Sequence, residues 1–180
     1  MRNKIMAERT RKESAKDQTT MVDNVIKVRR VTKVTKGGKR FGFSALVVTG
    51  DQGGRIGIGQ GKSREVAAAI TKATNRARKN LIEVSLRGST LPYNVLGRHG
   101  ASRVLIRSAS KGTGVIAGGA VRSVMEALGV KDVLAKSLGS ENPTNVVKAT
   151  LNALAQLRGL KRIAQLRGRS VEQIIKGSHE

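Results

Sequence analysis

The chain has 180 residues, 38% of them hydrophobic, with 35 Lys and Arg against 12 Asp and Glu, a formal charge of +23 and a pI near 11.6. This length and apolar content build one ordinary domain or two small ones and exclude a wholly disordered chain, while the charge predicts a polyanionic partner. The absence of cysteine excludes disulfides, thiolate catalysis and most structural zinc sites, and the polar first twenty residues, with no apolar run of spanning length, predict a soluble cytoplasmic protein that does not enter a membrane.

Residues 1–22 carry six basic and three acidic side chains and few large apolar ones, and read as a mobile basic arm. Residues 24–50 then hold seven basic side chains and no acidic one, in two apolar-rich runs that meet at KGGKR. The first run, VIKVRRVTKVT, places Ile26, Val28 and Val34 on one parity and Lys27, Arg29 and Lys33 on the other, which predicts a strand with one packed and one charged face. The alternation slips at Arg30 and Val31, where a bulge or an edge position is expected. Gly37 and Gly38 suit the positive φ of a tight hairpin turn, and Phe41, Phe43, Ala45 and Val47 resume the apolar parity. Lys36, Lys39 and Arg40 should crowd around the tip. The turn DQGG leads to a third strand, RIGIGQG, and then to a helix with Ser63 as N-cap and Glu65 in its first turn. Val66, Ile70, Ala73, Ala77 and Leu81 fall on one helical face, and Lys72, Arg76 and Lys79 on another.

A brief strand over 82–87 and the loop RGSTLP mark a boundary, with Pro92 as punctuation. The domains are therefore expected at 23–87 and 88–180. In the second, strands are expected near 93–97 and 102–108, then a Gly-rich loop, a helix from Gly118 to Leu128, and a strand over 130–136. A further helix follows, with Asn142 as cap and Pro143 at its first position. A short helical piece closes the chain, where Ser170 and Gln173 have capping-box spacing. From Val84 to Met125 no acidic residue occurs among Arg87, Arg98, Arg103, Arg107, Lys111 and Arg122.

Three motifs could suggest other chemistry. Gly61, Lys62 and Ser63 resemble the end of a phosphate-binding P-loop, but the leading glycine would fall at Ile56. Gly112, Gly114 and Ala117 match a dinucleotide-binding pattern with Asp132 near the ribose-binding distance, yet Ser108 to Lys111 separate the glycines from the preceding strand. A Ser/His arrangement depends wholly on His99. No catalytic residue, cofactor, metal or small-molecule substrate is assigned. The aromatic residues are Phe41, Phe43 and Tyr93 alone. Stacking, worth about 1–3 kcal/mol per base, is therefore expected to be a minor term beside phosphate contacts and RNA shape.

GTGVIAGGAVR, VTKVTKGGKRFGFSALVVTGDQGGRIGIGQGKSREV and LAKSLGSENPTNVVKAT together resemble the S-five family of the bacterial small ribosomal subunit, over roughly residues 23–176. The resemblance implies a two-domain α+β protein. Its first domain would be a three-stranded sheet with a covering helix, similar to double-stranded-RNA-binding domains, and its second a βα domain similar to domain four of elongation factor G. It further implies binding to small-subunit rRNA beside proteins S-four and S-eight, with S-three nearby. The hairpin would lie near the path by which mRNA enters and near the rRNA site of spectinomycin. By motif match Arg30, Lys33, Lys36 and Lys39 would face RNA, and the charge pattern adds Lys27, Arg29, Arg40, Arg55, Lys62 and Arg64 as expected RNA contacts. Gly114 and Arg122 match positions tied to decoding fidelity through the contact with S-four. A free-standing binder of structured RNA is the rival reading, and a nucleotide-dependent enzyme the third.

Overall fold

The computed structural model describes residues 21–176. The expected arm thus lies outside the described residues except for its last two, and Val22 already begins a strand. The first sheet is antiparallel, in the order β1 (Val22–Thr35), β2 (Gly38–Gly50), β3 (Arg55–Ser63) and β4 (Leu81–Glu83). The brief strand expected as a boundary marker is therefore a fourth strand of this sheet. It takes Leu81, which helical periodicity had assigned to the helix.

Helix α1 (Val66–Lys79) covers one face of the sheet at very short range. Its buried residues are Ala69, Ala73 and Ala77, and they lie over Gly61, Gly59 and Gly57 of β3. A Cβ at these glycines would stand 2.1, 1.8 and 2.2 Å from the carbonyl oxygens of those three alanines. The glycines are what admit the helix backbone. Val66, expected on the apolar stripe, is the first residue of the helix and is 39% exposed. Nor is Ser63 the cap. It still pairs with Phe43 in the sheet, so the chain turns only at Arg64, and Glu65 becomes the N-cap without a side-chain bond.

The second sheet runs β5 (Val95–His99), β6 (Ser102–Ser108), β8 (Val133–Gly139) and β7 (Val115–Ile116), with only β7 and β8 parallel. Strand β8 starts later than the expected 130–136. Gly129, at φ 90°, ends α2 (Gly119–Leu128), and the amides of Gly129 and Val130 bond back to Met125. The Lys131 and Asp132 amides go to the Ser89 carbonyl, so no strand can begin before Val133. Helix α3 (Pro143–Ala155) has its expected start, with the Thr144 amide donating to Asn142 Oδ1 at 3.3 Å and Pro143 in the first turn. Gly97 on β5 repeats the close packing, since a Cβ there would meet the Ala149 carbonyl at 2.0 Å. Helix α4 (Leu160–Arg167) had no counterpart in the sequence reading. It buries only Ala164, too little for an apolar period to show. Helix α5 (Val171–Lys176) follows the reciprocal Ser170–Gln173 capping box.

One core joins the two sheets. Leu46, Val48 and Ile56 of the first sheet pack in the same cluster as Val121, Val124, Met125 and Leu128 of α2 and Val104, Ile106 and Val133 of the second. The β2–β3 turn seals the join. The Gln52 amide donates to the Ala127 carbonyl at 3.1 Å, and a Cβ at Gly50 would stand 2.0 Å from that same oxygen.

Candidate nucleic-acid interface

Strands β1 and β2 outrun the rest of their sheet. Strand β3 reaches only as far as Phe43, so among the described residues the ribbon beyond it has no covering layer, and every β1 residue from Lys27 to Val34 is exposed. This corrects the expectation of one packed face. With no core to enforce alternation, Val31 sits at 38% exposure on the charged side without penalty. The bulge is also not at Arg30 and Val31 but between Val25 and Lys27. There Ile26 turns into the shared core, and the strand then resets so that Lys27 opposes Leu46. At the tip a two-residue turn links Thr35 to Gly38, and Gly38, not Gly37, takes the positive φ, at 131°.

The register sorts the candidate cations. Lys27, Arg29, Lys33 and Arg40 share one face of the ribbon, and Lys62 joins them through the row Arg29–Ser44–Lys62. All five are exposed, and no acidic side chain stands in these rows. The first turn of α3 borders the same face. Lys27, Arg29, Ser44 and Gln60 line a small cleft with Pro143 and Thr144, so the positive end of a helix dipole adds to the cationic field. Sequence reading missed this neighbour because about a hundred residues intervene. Arg30 and Lys39 lie on the opposite face, Lys36 in the turn, and Arg64 in the exposed link to α1.

Arg55 is placed elsewhere, at the far end of the sheet. Its Nε donates to Asp51 Oδ2 at 2.7 Å, and its amide to Asp51 Oδ1 at 2.8 Å. Burial pushes the Asp51 carboxyl up, but the Arg55 side chain, the amides of Arg55 and Gly53 and the nearby positive charge outweigh it, leaving Asp51 below its ordinary 3.8. Arg55 is thus committed to closing the β2–β3 turn. On α1, Arg76 reaches the Gln60 carbonyl at 2.7 Å and Arg78 pairs with Asp23 at 2.7 Å. The basic stripe of that helix is partly anchored to its own sheet.

Gly114 and Arg122 meet at one corner of the second sheet, where Arg122 donates to the Val115 carbonyl at 3.1 Å. Gly112 and Gly114 have φ of 93° and 77°, and both donate their amides to Asp132 Oδ1, at 2.9 and 3.1 Å. The Ser89 hydroxyl donates to the other carboxylate oxygen at 2.7 Å. Asp132 is 4% exposed. The Ser89 hydroxyl, then the loop amides, hold its carboxyl below the usual 3.8 in spite of burial. The dinucleotide-like pattern is therefore an internal brace, with the acid turned onto the loop glycines. The GKS triplet lies within strand β3. His99 stands opposite Ser102, whose hydroxyl is spent on the Ser140 carbonyl at 2.6 Å. Among the described residues no group of His, Cys, Asp and Glu is arranged to hold a metal. A groove of about 870 Å³ runs between residues 85–93 and helices α4 and α5, and among the described residues neither an acidic residue nor a histidine lines it.

A second basic surface covers the open face of the second sheet. Arg98 faces Arg103 across β5 and β6, and Arg107 and Lys136 lie on the same side among Leu96, Leu134 and Leu138.

The fold and these surfaces define an α+β protein with two sheets on one core and a projecting cationic ribbon, a class made to lie against a polyanion. Residues 21–85 match the family described as ribosomal protein S5, N-terminal domain, and residues 97–167 match ribosomal protein S5, C-terminal domain. The chain belongs to the ribosomal protein S5 family. It is 57% identical over 152 residues to the small ribosomal subunit protein uS5 of Chromohalobacter salexigens, covering 84% of this chain and 92% of the relative. Likeness to the protein of the same name from Dinoroseobacter shibae is 49% over 180 residues, with 97% and 94% covered. For the Flavobacterium psychrophilum protein it is 54% over 155 residues, with 86% and 89% covered. Membership makes the chain a structural component of the small ribosomal subunit and not an enzyme.

Proposed function

We propose that the chain is held in the small subunit by its ribbon, whose face of Lys27, Arg29, Lys33, Arg40 and Lys62 neutralises phosphates of folded rRNA. The observation that carries this reading is the gathering of five exposed cations on one face, with no acid in their rows among the described residues. Phosphate contacts of this kind set position and register rather than sequence choice. Lys36 and Lys39 at the tip extend toward the path by which mRNA enters. The corner of Gly114 and Arg122 meets protein S-four and so bears on decoding accuracy, with S-eight and S-three as further neighbours. Two domains, 23–87 and 88–180, divide these contacts within a cytoplasmic particle. Sedimentation of subunits through high salt tests the reading: a built-in component stays with the particle, and a chain that washes off completely is a peripheral RNA binder instead. Misreading frequency tests the corner. A bulky residue at Gly114 should change error rates while rRNA binding persists, and unchanged error rates reject the assignment.

A further inference from the structure

The ribbon has a second face of different chemistry. Opposite the five cations, the register places Val28, Arg30, Thr32 and Val34 of β1 beside Ala45, Phe43, Phe41 and Lys39 of β2. Ala45 and Phe43 belong to the small cluster under α1, but Phe41, two residues further out, does not. Phe41 is 50% exposed, and the Arg30 guanidinium lies over its ring, 3.9 Å from the centroid. A ring that outruns the core contributes little to folding, and a phosphate has no use for it. A guanidinium lying over a ring forms a flat, weakly hydrated surface, the kind on which a nucleobase stacks.

We propose that this second face receives an unpaired base of RNA, stacked on the Arg30–Phe41 pair, while the cationic face holds phosphates. The ribbon then separates two RNA segments, one read by charge and one by a ring. The proposal rests on the reading of the ribbon as rRNA-bound, and it gives Phe41 a role that charge pattern alone does not. Aromatic scarcity limits such contacts to very few places; here the geometry supplies one.

The test uses small subunits assembled with the full-length chain and nucleotide-resolution acylation of rRNA 2′-hydroxyls. With Phe41→Leu, one unpaired nucleotide protected in the parent should become more reactive by about fivefold or more, the change expected from losing one stacked base. Phe41→Tyr should keep the protection. Arg30→Lys, which retains charge without the plane, should free the same nucleotide in part. No change in any nucleotide with Phe41→Leu still bound, or changes that Lys33→Ala on the other face reproduces, would overturn the proposal. If Phe41→Leu is lost from the particle, Arg30→Lys decides alone, and an unaltered reactivity pattern rejects the stack. Should the parent chain itself wash out in salt, the rRNA-bound reading fails and takes this one with it.

Discussion

A methyl group at Gly59 would stand 1.8 Å from the Ala73 carbonyl oxygen and 2.7 Å from the Ala77 amide nitrogen, both backbone atoms of α1. The helix must retreat to admit it, uncovering the alanine stripe beneath. Gly59→Ala should therefore cost about 2–3 kcal/mol. Gly37→Ala, where nothing lies within 4 Å of the added carbon, should leave the urea midpoint nearly unchanged. Equal midpoints for the two variants would show that the helix moves freely. Asp132 gives a residue-scale prediction with a sign. Its folded pKa lies below 3.8, so the stabilisation from the Ser89, Gly112 and Gly114 bonds is fully present above that ordinary value and is lost as pH falls through the lower, folded one. Asp132→Asn should unfold at lower urea than the parent at neutral pH, and the gap should narrow below pH 3.8. A gap of constant width down to the acid range would remove the carboxylate charge from the account.

At the scale of elements, the ribbon separates cations that bind from cations that build. Lys33→Ala and Lys36→Ala should each lower the log–log salt slope of RNA association by roughly one unit or slightly less, one phosphate contact apiece. Arg55→Ala should leave the slope alone and lower stability, because its Nε is engaged by Asp51 at 2.7 Å. A slope that drops equally in all three would put Arg55 back among the RNA contacts. Sequence could not make this distinction, since Asp51 and Arg55 read only as a turn and a strand start. What it did show was wherever a core or a local side-chain bond stood behind the pattern: β2 follows from parity, and the start of α3 and the Ser170–Gln173 box from capping residues. Reading failed where tertiary partners decide. The bulge sits at Ile26 because the shared core lies there. The glycines of β3 looked like a nucleotide motif because close packing and phosphate approach both need a missing Cβ, and Gly112 and Gly114 did so because an internal turn and a phosphate loop both use positive φ. The Ser89–Asp132 brace joins residues 43 apart that share no local pattern.

For the molecule as a whole, two terms of opposite sign set stability in isolation. Helix α2 and the β2–β3 turn bind both sheets into one core, so unfolding should be a single transition. Far-ultraviolet ellipticity should coincide with emission from Tyr93, the one tyrosine of a chain without tryptophan, whose hydroxyl is fixed by the Gln156 carbonyl at 3.1 Å and the Arg158 amide at 2.8 Å. Against this cohesion stands a charge of +23. The pairs Asp51–Arg55 and Asp23–Arg78 keep one partner at least partly exposed, and each such surface pair is worth about 0–1 kcal/mol. Repulsion among the remaining cations acts over longer distances and is the larger sum. Arg98 opposite Arg103 is its local form, a like-charged pair on neighbouring strands that disfavours the sheet by about 0.2–1 kcal/mol. Salt weakens both terms but relieves more repulsion than it removes attraction, since the screening length falls from about 10 Å at 0.1 M to about 3 Å at 1 M. The thermal midpoint of the isolated protein should therefore rise with sodium chloride, and Arg103→Leu should raise it at low salt by more than at high salt. A midpoint that falls with salt would mean that ion pairs outweigh repulsion, and the charge would then need no polyanion to explain how the fold tolerates it.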